Sequence, residues 1–157
     1  MHPELGRREF RTQEKIMQYL NEMGIEHYKI AGTGLVGMIE GKEGGNVVAL
    51  RADIDALPMQ EKNEVSYKSQ NDGVMHACGH DLHMAMLLGA AQVLADHPPR
   101  RDTVLAFQPG EEADRGALPL LEHTNLGFAG PATAFAVHVH ALAPPGTILV
   151  RPGVFMA

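Results

Sequence analysis

The sequence predicts an α/β fold, a mixed and largely parallel sheet flanked by helices. Three features carry that expectation. Strand and helix signals alternate along the chain, one long helical pattern is ended by Pro98-Pro99, and the residues best suited to chemistry directly follow the strands.

Taken in order, Phe10, Ile16, Met17, Leu20 and Met23 recur close to the helical period within residues 7–23, which predicts an amphipathic helix. Glycines at 24, 32, 34, 37, 41, 44 and 45 then punctuate short apolar runs. Residues 35–40 and 47–51 read as strands, with Gly44-Gly45-Asn46 as the turn of a hairpin between them. Pro58 cannot donate to a ladder and takes the chain out of the sheet, and residues 60–71 form a polar loop. From Asp81 onward, Met84, Leu87, Leu88, Ala91 and Leu94 keep helical spacing up to the proline pair. Residues 103–107 suit a buried strand, 115–123 a short helix interrupted by Pro119, 133–139 another strand and 147–151 a last one. There is no internal repeat. The sequence stops at Phe155-Met156-Ala157 without a turn signal, as a piece of a longer protein would.

Composition excludes several classes. A chain of 157 residues, 45% hydrophobic and 20% charged, suffices for one globular domain. Its net charge of -6, with no basic stripe, argues against nucleic acid as a partner. The longest apolar run, Met84 to Ala95, is well short of the roughly 20 residues that span a bilayer, so no membrane segment is expected. The amino terminus lacks the apolar core of a secretory signal, which makes a cytoplasmic location the default. The single cysteine forms no internal disulfide. Cys78 is therefore a buried thiol, a metal ligand, a nucleophile or an intermolecular bridge.

Five of nine histidines fall in two clusters. His76-Ala77-Cys78-Gly79-His80-Asp81-Leu82-His83 precedes the long helix, and Gly79 lets the backbone turn so that Cys78 and His80 approach one point. Thiolate and imidazole are good ligands for zinc and similar divalent metals. His138-Val139-His140 ends a strand, and period 2 turns both imidazoles to one side if that strand continues. Glu111-Glu112 follows the 103–107 strand, and Asp53 and Asp55 follow the 47–51 strand. Open α/β sheets assemble sites beyond the carboxyl ends of their strands, so these loops are expected to converge on one crevice. Cys, His and Glu together suit one or two divalent metals, and a glutamate beside a ligating one can act as base in metal-assisted hydrolysis.

Plainer readings exist for each group. A lone cysteine is often a small buried hydrophobe, paired glutamates often open a solvated helix, and Asp53 and Asp55 can cap a turn. His76, His83 and His140 can equally be structural, while His2, His27, His97 and His123 read as surface residues. Gly32-Thr33-Gly34-Leu35-Val36-Gly37 matches the dinucleotide fingerprint, but the glycines that follow leave no helix to hold a pyrophosphate. A cysteine hydrolase is disfavoured because a base two residues from its nucleophile is awkwardly placed.

Four segments also resemble consecutive motifs of a metallopeptidase family, in its branch of hippurate hydrolases, N-acyl-amino-acid amidohydrolases and indole-acetyl-amino-acid hydrolases. They are Arg51-Ala52-Asp53-Ile54-Asp55-Ala56-Leu57-Pro58, Met75-His76-Ala77-Cys78-Gly79-His80-Asp81, Phe107-Gln108-Pro109-Gly110-Glu111-Glu112 and Val137-His138-Val139. The resemblance implies two divalent ions, zinc, manganese or cobalt, with Cys78 shared between them and His80, Glu112 and His138 as further ligands. It implies that Glu111 is the general base, taking a proton from a metal-bridging water that attacks the amide of a small N-acyl amino acid. Asp53, standing where related branches carry a histidine ligand, would support the site with Asp55, and His76, Asp81 and His140 would support it or meet substrate. Family members are more than twice this length. The resemblance therefore implies that residues 1–157 are the amino-terminal part of the catalytic domain, lacking an inserted lid and dimerisation domain, the carboxyl-terminal half and a further histidine ligand. On that basis the chain alone is expected to be inactive and to hold one metal or none, and the full-length protein to form a homo-oligomer. The competing expectation is a non-catalytic remnant that binds metal or a partner.

Overall fold

The computed structural model describes residues 1–113, 117–122 and 132–154, which form a five-stranded mixed sheet with flanking helices. The chain runs α1 (Phe10–Glu22), β1 (Glu26–Ile30), β2 (Gly34–Ile39), β3 (Val47–Asp53), α2 (His80–Asp96), β4 (Thr103–Gln108), α3 (Leu118–Glu122) and β5 (Ala132–Ala136). In space the strands lie in the order β1-β2-β4-β3-β5. β3, β4 and β5 are mutually parallel, while β2 is antiparallel to both β1 and β4.

The all-buried β4 takes the centre because its residues alternate between two apolar layers. Leu105 and Phe107 join Leu35, Ile39 and Ala52 beneath Ile16 and Leu20 of α1 and Leu87 and Ala91 of α2. Val104 and Ala106 face the other way, toward Val36, Val47 and Leu120 of α3. On α2 the buried positions are His80, His83, Leu87 and Ala91, a single stripe that turns polar at its amino-terminal end. Glu4 caps α1 from a distance, its carboxylate accepting the backbone N–H groups of Arg11 and Thr12.

Three expectations are corrected. The 35–40 and 47–51 strands do not form a hairpin, because β4 inserts between them and satisfies both edges. The hairpin is instead β1–β2, turning at Ala31 and Gly32, both with positive φ, so the fingerprint-like glycines sit in a turn and a strand. β1 itself was not anticipated; its half-exposed Glu26-His27-Tyr28-Lys29-Ile30 carries little apolar signal. Residues 147–151 are not a strand, and Ile148 and Val150 are exposed. β5 ends at Ala136, so strand periodicity does not orient His138 and His140. Of the expected 115–123 helix, Leu118–Glu122 is observed, while Arg115, Gly116 and His123 lie outside the described residues. Among the described residues no helix is long and apolar enough to cross a membrane.

Candidate metal centre

The carboxyl ends of the three parallel strands meet the amino-terminal end of α2, and the chemistry-bearing residues gather there. Gly79, at φ +86°, turns the chain into α2 so that Cys78 and His80 lie on either side of it. Gly110, at φ +61°, makes the equivalent turn after β4 and presents Glu111 and Glu112. Both angles fall in the left-handed region, where a side chain is strained.

Three sets of donor atoms share His80, the third being Asp53, His80 and His83. Cys78, His80 and His138 offer sulfur and nitrogen atoms all within 4.8 Å of one another, and His80, Glu111 and Glu112 do the same with nitrogen and oxygen. Cys78 Sγ lies 3.4 Å from His138 Nε2. His80 Nε2 is 3.9 Å from Glu112 Oε1 and 4.0 Å from Glu111 Oε2.

The imidazoles are held so that their lone pairs face this point. His80 Nδ1 donates to the Asp55 carbonyl at 2.9 Å, and His138 Nδ1 to the Val139 carbonyl at 2.7 Å. A ring nitrogen that donates to a carbonyl fixes the tautomer and leaves Nε2 as the free donor atom toward a cation. His80 Nε2 is buried and has no hydrogen-bond partner. An orphaned lone pair at that depth is costly unless something electrophilic meets it. Soft sulfur, borderline nitrogen and hard oxygen around one point fit a zinc-like divalent ion.

The electrostatics point the same way. Burial pulls His80 toward its neutral form, but its hydrogen bond to Asp55 and the charges of Asp53 and Asp55 outweigh that and raise its pKa. Positive charge, as proton or metal ion, is thus favoured at this imidazole. Burial pushes the Cys78 thiol up to about 11, helped by its hydrogen bond to Glu112 and by the charges of Glu112, Glu111 and Asp53. Without a cation the sulfur stays protonated, the opposite of an activated nucleophile, despite the nearby His138.

Asp55 braces two sides of the site, since its Oδ2 accepts the Glu112 backbone N–H at 2.9 Å while its carbonyl orients His80. Burial raises its pKa, but hydrogen bonds from His80 and from the backbone of Glu112 and Glu111 prevail and hold the carboxyl below its ordinary value. Asp53 also borders the site: its Oδ1 is 2.6 Å from His83 Nδ1, and its Oδ2, 2.7 Å from Arg51 Nη1, lies 3.6 Å from His80 Nε2. His76, Asp81 and His140 line a cavity of about 700 Å³ that opens beside Cys78 and His138. His76 is shifted toward its neutral form chiefly by burial, and its Nδ1 has no hydrogen-bond partner. Asp81 Oδ1 and His140 Nδ1 accept local backbone N–H groups of Leu82 and Leu142.

Sequence reasoning left His83 open between a structural and a site role, quoted Arg51 only as part of a motif, and did not single out Glu9. His83 carries a usable signal, its spacing of three from His80 on the inward stripe of α2. Glu9, fully buried in a polar stretch, carries none.

A sheet whose parallel strands bring carboxylates and an imidazole to the helix start that carries Cys78 and His80 forms a crevice able to hold divalent cations. Residues 49–153 match Peptidase family M20/M25/M40, and the chain belongs to that family. N-acetyldiaminopimelate deacetylases from Oceanobacillus iheyensis and Anoxybacillus flavithermus are each 40% identical to it, over 99% of this chain and 42% of theirs. The crystal structure of a Bacillus subtilis protein, a dinuclear metal binding peptidase of the M20 family, superposes with a TM-score of 0.90 at 41% identity. That match covers 96% of this chain and 43% of the other. The chain thus spans less than half the length of the curated relatives it matches.

Proposed function

We propose that this chain supplies the amino-terminal part of the catalytic domain of a metal-dependent amidohydrolase that cleaves small N-acyl amino acids. Cys78, His80, Glu112 and His138 are the ligands this chain provides, and Glu111 is the general base. The observation that carries the reading is the buried Nε2 of His80, which makes no hydrogen bond and is set between the Cys78–His138 pair and the two glutamates.

Bound divalent cations would supply Lewis-acid polarisation of the amide carbonyl and acidify water. The chain's own residues do the rest. Glu111 takes the proton of the attacking water and returns it to the leaving amine, which one carboxylate can do if it stands within hydrogen-bond reach of both. Asp55 keeps His80 and Glu112 in register. The cavity beside Cys78, lined by His76, Asp81 and His140, receives the substrate. Relatives named N-acetyldiaminopimelate deacetylase support an acetylated amino acid as substrate class. Segments beyond this chain complete the second metal position and the cover over the substrate, and we place the whole protein in the cytoplasm as a homo-oligomer.

The test is hydrolysis of a panel of N-acyl amino acids with zinc, manganese or cobalt, comparing these 157 residues with a version extended by the downstream coding sequence. Activity that emerges only on extension supports the proposal. Inactivity of the extended protein at every metal overturns it in favour of a non-catalytic remnant.

A further inference from the structure

We infer that His83, which no ligand assignment uses, is a positioning residue that sets His138 against Cys78. Asp53, His80 and His83 lie close enough together to suggest a metal site of their own, but the Asp53 and His83 atoms are already engaged. His83 Nδ1 faces Asp53 Oδ1 at 2.6 Å, and Asp53 Oδ2 faces Arg51 Nη1 at 2.7 Å. On the other side of the ring, His83 Nε2 accepts the backbone N–H of Val139 at 3.0 Å. An acceptor at Nε2 requires the proton at Nδ1, and the buried carboxylate of Asp53 selects that tautomer.

The consequence falls on the next residue. Val139 is held from two directions by the start of α2. His83 binds its N–H, and Gly79 admits its side chain, since a Cβ at Gly79 would run into Val139 Cγ2. His138, immediately before it, packs edge-on against His83 with ring centroids 4.6 Å apart and points Nε2 at Cys78 Sγ. β5 has ended at Ala136, so no sheet ladder fixes this segment. Arg51 anchors the far end, its Nε donating to Gln108 Oε1, so the relay runs from β3 and β4 through His83 to the loop after β5. Fixing a ligating histidine through an outer hydrogen bond is commonly worth about 10–100-fold in metal affinity.

The inference rests on Cys78 and His138 being ligands, and the experiment separates the two. Two-bond proton–nitrogen NMR on protein labelled at histidine reads the His83 tautomer directly in the wild type. A proton on Nδ1 and a bare Nε2 are expected, and a proton on Nε2 overturns the relay without any variant. Co²⁺ alone is then titrated at the thiolate-to-metal charge-transfer band of wild type, His83→Phe, His83→Gln and Cys78→Ser. The band should vanish in Cys78→Ser, persist in His83→Phe with binding weakened about 10-fold or more, and recover partly in His83→Gln, whose amide oxygen can accept the Val139 N–H. Unchanged binding in His83→Phe overturns the positioning role. An unchanged band in Cys78→Ser overturns the ligand reading instead. Should His83→Phe fail to fold, the tautomer and the hydrogen-exchange protection of the Val139 amide decide the matter in the wild type.

Discussion

Glu9 Oε1 accepts the backbone N–H of Gly110 at 2.8 Å, joining residues 101 positions apart in the chain. The other oxygen of the same fully buried carboxylate accepts the Thr33 hydroxyl at 2.5 Å. One side chain thereby ties the start of α1, the β1–β2 turn and the turn that presents Glu111 and Glu112.

Removing it should be expensive. Glu9→Ala leaves two buried donors without acceptors, each costing about 1–3 kcal/mol, so a stability loss of roughly 2–6 kcal/mol is expected, read as a lower denaturant midpoint. Glu9→Gln keeps one acceptor oxygen and should cost less. Equal midpoints for wild type and Glu9→Ala would show that neither bond contributes.

Cys78→Ser replaces a soft sulfur that sits within 4.8 Å of two imidazole nitrogens. Loss of an outer partner costs about 10–100-fold in metal affinity, and loss of a ligand more, so bound zinc or manganese should fall sharply by elemental analysis. Unchanged stoichiometry removes Cys78 from the ligand set.

Glu111→Gln should retain metal, since Cys78, His80, Glu112 and His138 stay in place. In the extended enzyme it should lower hydrolysis by about 10²–10⁴-fold, the usual worth of a positioned general base. Full turnover with normal metal content would take that role away from Glu111.

Metal affinity should rise with pH. The Cys78 thiol, at about 11 without metal, is protonated at neutral pH, and His80 is biased toward its protonated form. A cation that binds both must expel those protons, so raising the pH removes its competitor. The logarithm of affinity should climb with a slope of about one from Cys78 alone, and more where His80 is still charged. Calorimetric titration with Mn²⁺ in buffers of different ionisation enthalpy counts the protons released. None released would be incompatible with thiolate ligation.

Much of this is legible in the linear sequence because it is local. The amphipathic spacing of α1, the proline stop after α2, the apolar Thr103–Gln108 run, the Cys78–His80 cluster just before α2 and the Asp, Glu and His groups after strands are properties of neighbouring residues. They determine an α/β chain and the kinds of donor it brings to one end of a sheet. The order β1-β2-β4-β3-β5 is not local, since it depends on which strand best buries both faces, and a reader of the sequence pairs β2 with β3 through a plausible Gly-Gly-Asn turn.

What each donor atom can do was decided only in three dimensions. Asp53 and Asp55 look alike in the chain, yet one is spent on His83 and Arg51 while the other orients His80 and holds Glu112. His80, His83 and His138 are chemically identical until hydrogen bonds select their tautomers, from the distant Asp55 carbonyl for His80, from Asp53 and the Val139 N–H for His83, and from the adjacent Val139 carbonyl for His138. Residue type fixes which donors exist. Which lone pairs remain free depends on hydrogen bonds that close only when the sheet has brought those segments together.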